Sequence, residues 1–197
     1  MLQQNHHVLT LGPTGTGKSL NNSELLTTGL TDTYQYISLV FSAQTGANQT
    51  QDTMDSKMEK RRKGYYGPPI GKKCIIFIDD LNMPKKETYG AQPPIELIRQ
   101  YLDHNGWYDR KTLQFMKLED LLMLCTMGPP GGGRTFITNR LMRHFNILAY
   151  TELPNDIINS IFSSLLGFYF KRFPEPARNL ARPVSEYCLK MFEFVKA

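Results

Sequence analysis

The chain has 197 residues, with 23 Lys or Arg against 18 Asp or Glu, and a formal charge of +5. Its apolar share of 41% and charged share of 21% are those of an ordinary soluble globular protein, with room for one sizeable domain or one domain and part of another. No apolar run approaches the roughly 18 residues of a membrane-spanning helix, and the N-terminus carries no signal-peptide pattern, so no membrane partner is expected.

In chain order, "VLTLGPTGTGKS" opens with a short apolar strand, Val8 to Leu11, passes through a glycine-rich turn and enters a helix from about Lys18 to Thr28. The β-branched and aromatic run "YQYISLVFSA" reads as a buried strand. "NQTQDTMDSKMEKRRK" reads as a helix, with Met54 and Met58 four residues apart, an acid-to-base gradient and a stop at Gly64. "CIIFIDD" is a buried strand that ends in Asp79 and Asp80. "QPPIELIRQYLDHNG" is a helix with prolines at its start, where their missing N–H groups cost little, and Gly106 at its end. "WYDRKTLQFMKLED" alternates as a hairpin does, and "LLMLCTM" is another buried strand, cut off by "GPPGGGR". A short helix through Arg140 and Arg143 leads to a last strand in "HFNILAY".

Strands separated by helices imply an α/β domain over residues 1–150, a three-layer sandwich with a parallel sheet between helices. From Thr151 the pattern is all-helical, and residues 151–197 read as the start of a helical subdomain. The three cysteines, Cys74, Cys125 and Cys188, form no C-x-x-C pair and read as reduced core thiols of an intracellular protein. The basic run "KMEKRRKGYYGPPIGKK" reads as a solvated helix end or a protein contact. Tyr65 and Tyr66 are not interleaved with the charges as stacking platforms are, so no nucleic-acid partner is expected. The histidines show no metal-ligand spacing.

"GPTGTGKS", Gly12, Pro13, Thr14, Gly15, Thr16, Gly17, Lys18 and Ser19, fits G-x-x-x-x-G-K-[ST] between a strand and a helix. Glycines let backbone N–H groups turn inward around phosphate oxygens, and the helix start adds its positive dipole end. Lys18 is placed for the β- and γ-phosphates, and the Ser19 hydroxyl for Mg²⁺. An acid at the end of a downstream strand completes such a site by holding the magnesium, which selects Asp79; capping of the following turn is the competing role. Asp80 follows Asp79; in AAA+ ATPases, which this loop and acid resemble, that position carries a glutamate that polarises the attacking water. An aspartate is shorter than a glutamate by one carbon–carbon bond, about 1.5 Å, and misplacing a catalytic group by an ångström costs on the order of a hundredfold.

Together, "GPTGTGKS", "YISLVFSAQTGANQTQD", "EKRRKGYYGPPIGKKCIIFIDDLNMP", "YGAQPPIELIRQYLDHNGWYD" and "MGPPGGGR" resemble the third AAA+ module of axonemal dynein heavy chains, over about Val8 to Tyr150. The resemblance implies a P-loop AAA+ fold that holds ATP or ADP with Mg²⁺. It also implies neighbouring AAA+ modules of the same heavy chain as partners, with microtubules and dynein light and intermediate chains met through the full-length protein. The implied location is the cytoplasm, the cytoskeleton and the ciliary axoneme. Gly12 to Ser19 become the Walker A loop, Asp79 the Walker B acid and Asp80 the occupant of the catalytic-glutamate position. Arg140 and Arg143 lie where the family's arginine finger projects towards a neighbouring module's nucleotide. Gly128 falls where the family places a polar γ-phosphate sensor, so either Thr126 substitutes or the role is absent. Two activities stay open: an ATP-hydrolysing motor module, or one that holds nucleotide as a structural or allosteric element with little turnover. A nucleic-acid-remodelling P-loop protein is carried by the charge alone. The expectation for the isolated chain is weak nucleotide binding and slow hydrolysis, and its loop "PPGGGR", ending in Arg134, reads as mobile and without chemistry.

Overall fold

Strands that are apolar on both faces must be covered on both faces, and a parallel sheet between helices is the arrangement that does so. The computed structural model describes residues 1–196 and shows this arrangement in the first of two compact units, Met1–Thr151. Its strands β1 (Val8–Leu11), β2 (Tyr34–Val40), β5 (Lys73–Asp79), β8 (Leu121–Met127) and β9 (Asn146–Ala149) form a five-stranded sheet in the order β2-β5-β8-β1-β9. All four pairings are parallel.

Alternate residues of each strand face opposite layers. On one face Ile76, Ile78, Met123 and Cys125 pack beneath helices α2 (Ala47–Asp55) and α3 (Pro93–His104), which contribute Met54, Ile95, Ile98 and Tyr101. On the other face Ile75, Phe77, Leu122 and Leu124 meet Leu26 of helix α1 (Lys18–Thr28) and Leu2. The central strands β5 and β8 are buried almost throughout. Strand β2 differs from its expected burial. It is an edge strand paired only with β5, and Ile37 is its one buried residue.

A second, four-stranded sheet has the order β3-β4-β7-β6, from β3 (Glu59–Arg62), β4 (Tyr65–Gly67), β6 (Gly106–Tyr108) and β7 (Phe115–Leu118). Here the basic run departs from the expected helix. Helix α2 stops at Asp55, whose carboxylate accepts the Trp107 indole N–H at 3.0 Å, and the chain then forms the β3–β4 hairpin. Partners distant in sequence decide this: Arg61 pairs with Asp120 and donates to the Pro68 carbonyl, and Arg62 pairs with Glu119 at 2.8 Å while lying over the Tyr65 ring. Helix α3 also ends one residue earlier than expected. Asn105, in the left-handed region at φ 54°, closes it, while Gly106 already belongs to β6. The β6–β7 hairpin is antiparallel and buries Trp107 completely. Between β8 and β9 lies the short helix α4 (Asn139–Met142).

The second unit begins at Glu152 and contains α5 (Asn155–Phe170), α6 (Glu175–Arg178) and α7 (Ala181–Lys196). Within it the fully buried Ser185 hydroxyl is 3.0 Å from that of Ser163 and donates to the Asn159 side-chain oxygen at 2.6 Å, joining α5 to α7. No helix among the described residues is long and apolar enough to cross a membrane.

His7 makes the first unit sensitive to acid. Its ring lies edge-on to Tyr101 and Phe145, with centroids at 6.2 and 6.3 Å, and its Nδ1 accepts the Met123 N–H at 3.0 Å. Burial, reinforced by His144 and His6, pushes its pKa down to about 4. Above about pH 6.5 the ring is neutral whether the chain is folded or not. As pH falls from there towards 4 only the unfolded chain takes up the proton, so stability drops. By pH 5 the expected loss is about 1 to 2 kcal/mol. Urea midpoints at pH 7.5 and pH 5 check this, since His7→Asn keeps an acceptor and flattens the difference. An equal acid loss in the variant would count against it.

Candidate functional site

The C-terminal ends of β1, β5 and β8 converge on one depression. Between β1 and α1 the chain turns through Gly12–Gly17, with Gly15 and Gly17 in the left-handed region at φ 80° and 78°. Gly17 caps α1 without a side chain, which leaves the first-turn N–H groups facing the loop. Gly12 is required for a different reason. A Cβ there would sit 2.3 Å from the Tyr150 carbonyl oxygen, where the chain leaves β9. The Lys18 ammonium folds back to donate to the Pro13 carbonyl and lies 3.3 Å from the Thr16 hydroxyl. Burial lowers the Lys18 pKa and the nearby Arg134 lowers it further, with Asp80 and Asp79 acting in the opposite sense.

Asp79, the last residue of β5, is held from three directions. Its Oδ1 accepts the Ser19 hydroxyl at 2.9 Å, the Thr126 hydroxyl from β8, and the Asp80 N–H at 3.1 Å. At Asp80 the backbone bends into the left-handed region, φ 53°, and its carboxylate turns to Arg134, with Oδ1 3.4 Å from Nη2. A cavity of about 270 Å³ opens here, lined by Lys18, Ser19, Asp79, Asp80, Thr126 and Arg134 together with the glycine loop. The Ser19 hydroxyl and Asp79 carboxylate are adjacent hard oxygen donors. Such a pair fits Mg²⁺, which takes one or two protein oxygens and completes its octahedron with water and phosphate.

The loop residues Gly12 to Ser19, Asp79 and Asp80 are thus brought together, whereas Arg140 and Arg143 lie elsewhere. Arg143 is engaged by Asp103 at 2.6 Å, and its Nε donates to His144. Arg140, on α4, is exposed and makes no ion pair among the described residues. Gly128 follows β8, and the Thr126 hydroxyl is occupied by Asp79 and by the Asp80 N–H at 3.2 Å. Arg134, to which the sequence assigns no chemistry because its glycine-rich neighbourhood suggests mobility, lines the cavity. One local signal existed, a single basic residue directly after three glycines.

A parallel sheet with a glycine loop after β1 and a strand-terminal acid against the loop's serine defines a P-loop α/β domain of the AAA+ type. The profile of the family described as "P-loop containing dynein motor region" matches residues 1–153, and the chain belongs to that family. It is 56% identical over 168 residues to dynein axonemal heavy chain 1 of Homo sapiens, an alignment that covers 85% of this chain and 4% of that protein. It is also 52% identical over 163 residues to dynein axonemal heavy chain 3 of Homo sapiens, covering 83% and 4%. Against dynein axonemal heavy chain 12 of Mus musculus the identity is 48% over 165 residues, covering 83% and 5%. The chain therefore spans about a twentieth of the length of these relatives.

Because the atom facing Gly12 is a backbone carbonyl, little can yield to a methyl group there. Gly12→Ala is expected to destabilise the first unit by about 2 kcal/mol or more. Urea denaturation measures this, and a midpoint within error of the parent chain would refute the contact.

Proposed function

We propose that this chain is the third AAA+ module of an axonemal dynein heavy chain, one that binds ATP or ADP with Mg²⁺ and supports ATP-driven, microtubule-based movement of cilia. The observation that carries the reading is the Ser19 hydroxyl on the Asp79 carboxylate at the mouth of the glycine loop. In this reading backbone N–H groups of Gly12–Gly17 and the start of α1 cradle the phosphates, and Lys18 leaves the Pro13 carbonyl to reach the β- and γ-phosphates. Ser19 and Asp79 hold the magnesium, which supplies charge neutralisation when bound. The relatives' names, dynein axonemal heavy chains, support placement in the axonemal cytoskeleton and a neighbourhood of sister modules. Microtubules and the light and intermediate chains would be met through the remainder of such a heavy chain. Arg140, exposed and without an ion pair among the described residues, is the better-placed finger towards a neighbouring module, because Arg143 would first have to leave Asp103.

A second reading, a module that holds nucleotide with little turnover, is favoured by one observation: Asp80, in the position of the base, is turned onto Arg134. Replacement by the longer acid, Asp80→Glu in the parent ring, separates the two. A marked gain in turnover assigns the limit to side-chain length, and an unchanged rate assigns it to conformation.

For the chain itself, calorimetric titration with ADP and ATP should show binding strengthened by Mg²⁺, with turnover below about 1 s⁻¹, the low end of typical enzymes. Lys18→Ala removes the charge-assisted contact to phosphate and is expected to weaken binding by roughly a hundredfold. Tight binding retained in that variant would remove the site assignment.

A further inference from the structure

The segment between β8 and α4 is a bracket tied at both ends to the residues that follow Asp80. Glycines 131 to 133 all have positive φ, and the turn closes on itself through reciprocal bonds of 3.0 Å between Gly131 and Arg134. Before the turn, the Asn82 amide donates to the Gly128 carbonyl at 2.8 Å. After it, the Thr135 N–H and hydroxyl both donate to the Asn82 carbonyl, at 2.9 and 3.0 Å. The Gln92 amide, just before α3, donates to the Thr135 hydroxyl at 2.7 Å. These bonds fix the backbone of Arg134 at the rim of the cavity and leave its side chain to be placed by what lies within.

That side chain lies across Gly128. A Cβ at position 128 would be 2.8 Å from the Arg134 Nε and 2.9 Å from its Cδ, so the bare glycine makes room for the guanidinium stem. The Arg134 Nε is buried without a hydrogen-bond partner among the described residues, and Nη2 makes only the long 3.4 Å contact to Asp80. A guanidinium offers five N–H donors in a fork that matches phosphate oxygens. Here it stands in the same cavity as the Lys18 ammonium, with most of its donor capacity unused.

We propose that Arg134 is a ligand, from within this chain, of the terminal phosphate of a bound nucleoside triphosphate, and that without this phosphate it rests on Asp80. The proposal deepens the nucleotide-binding reading above and rests on it. A diphosphate leaves Arg134 on Asp80. A triphosphate draws the guanidinium away and frees the Asp80 carboxylate. Asn82 and Gln92 connect the bracket to the approach to α3, so the number of phosphates is read by the segment that leads into that helix.

The test compares affinities of the 197-residue chain for Mg²⁺–ADP and for the Mg²⁺ complex of a non-hydrolysable β,γ-imido triphosphate, by calorimetry. Arg134→Gln is expected to lower triphosphate affinity about tenfold or more, the weight of a charge-assisted hydrogen bond, and to leave ADP affinity unchanged. Gly128→Ala, which displaces the guanidinium, should shift the ratio the same way. Asp80→Asn, which removes the negative charge at the resting place, should shift it in favour of the triphosphate. Equal losses for both nucleotides in Arg134→Gln, or no loss for either, would overturn the proposal and make Arg134 a structural brace. If Gly128→Ala does not fold, Arg134→Gln decides the matter alone. A parent chain that binds neither nucleotide removes the nucleotide reading and this inference with it. A parent that binds both, loses both with Lys18→Ala and is indifferent to Arg134→Gln removes the Arg134 assignment only.

Discussion

Two adjacent carboxylates at the end of a buried strand repel each other, and the site is organised by the way that repulsion is met. The backbone bend at Asp80 turns the second carboxylate away from the first. Asp79 is then satisfied by hydroxyls from two other elements, Ser19 of α1 and Thr126 of β8, and by the Asp80 N–H. Asp80 faces a cation instead, Arg134. Donors fix Asp79 as an acceptor of defined direction, the preorganisation that a small, geometrically demanding ion such as Mg²⁺ requires. Among the described residues the Asp80 carboxylate makes one long contact, to Arg134.

Strand order makes those contacts possible. Strand β8 lies between β1 and β5, so Thr126 stands between the glycine loop and the acids. The connection after β1 leads away to β2 at the edge, and that after β8 passes over β1 to β9. Connections that diverge in this way leave a crevice at the carboxyl ends of the strands, and ligands of open α/β sheets bind there. Tyr150, at the end of β9, closes against Gly12 and sets how tightly the loop is drawn to the sheet.

The glycine loop, β5 with its terminal acids and the alternation of strands and helices were legible in the sequence because each is set by a short contiguous pattern. The β3–β4 hairpin was not. Met54 and Met58 share a helical spacing, but Arg61 and Arg62 find Asp120 and Glu119, and those partners are 59 and 57 residues away. Strand β2 reads as buried from its β-branched and aromatic residues, but those do not reveal how many neighbours a strand has. Arg134 was hidden in the same way. Its loop is glycine-rich, which locally signals mobility, yet Asn82 and Gln92 fix its base across separations of 53 and 43 residues.

Charge in the cavity is nearly balanced, with Lys18 and Arg134 against Asp79 and Asp80, but the balance is strained. The two cations are close enough for Arg134 to depress the Lys18 pKa, and the Lys18 ammonium rests on a neutral carbonyl rather than on an acid. Polyphosphate oxygens arriving between them would relieve the repulsion between the cations and at the same time sharpen the repulsion felt by Asp79 and Asp80. A divalent cation held by Ser19 and Asp79 would offset the latter for Asp79 and leave it uncompensated at Asp80. Binding of such groups would therefore be electrostatically coupled to Asp80, through side chains contributed at three different strand ends.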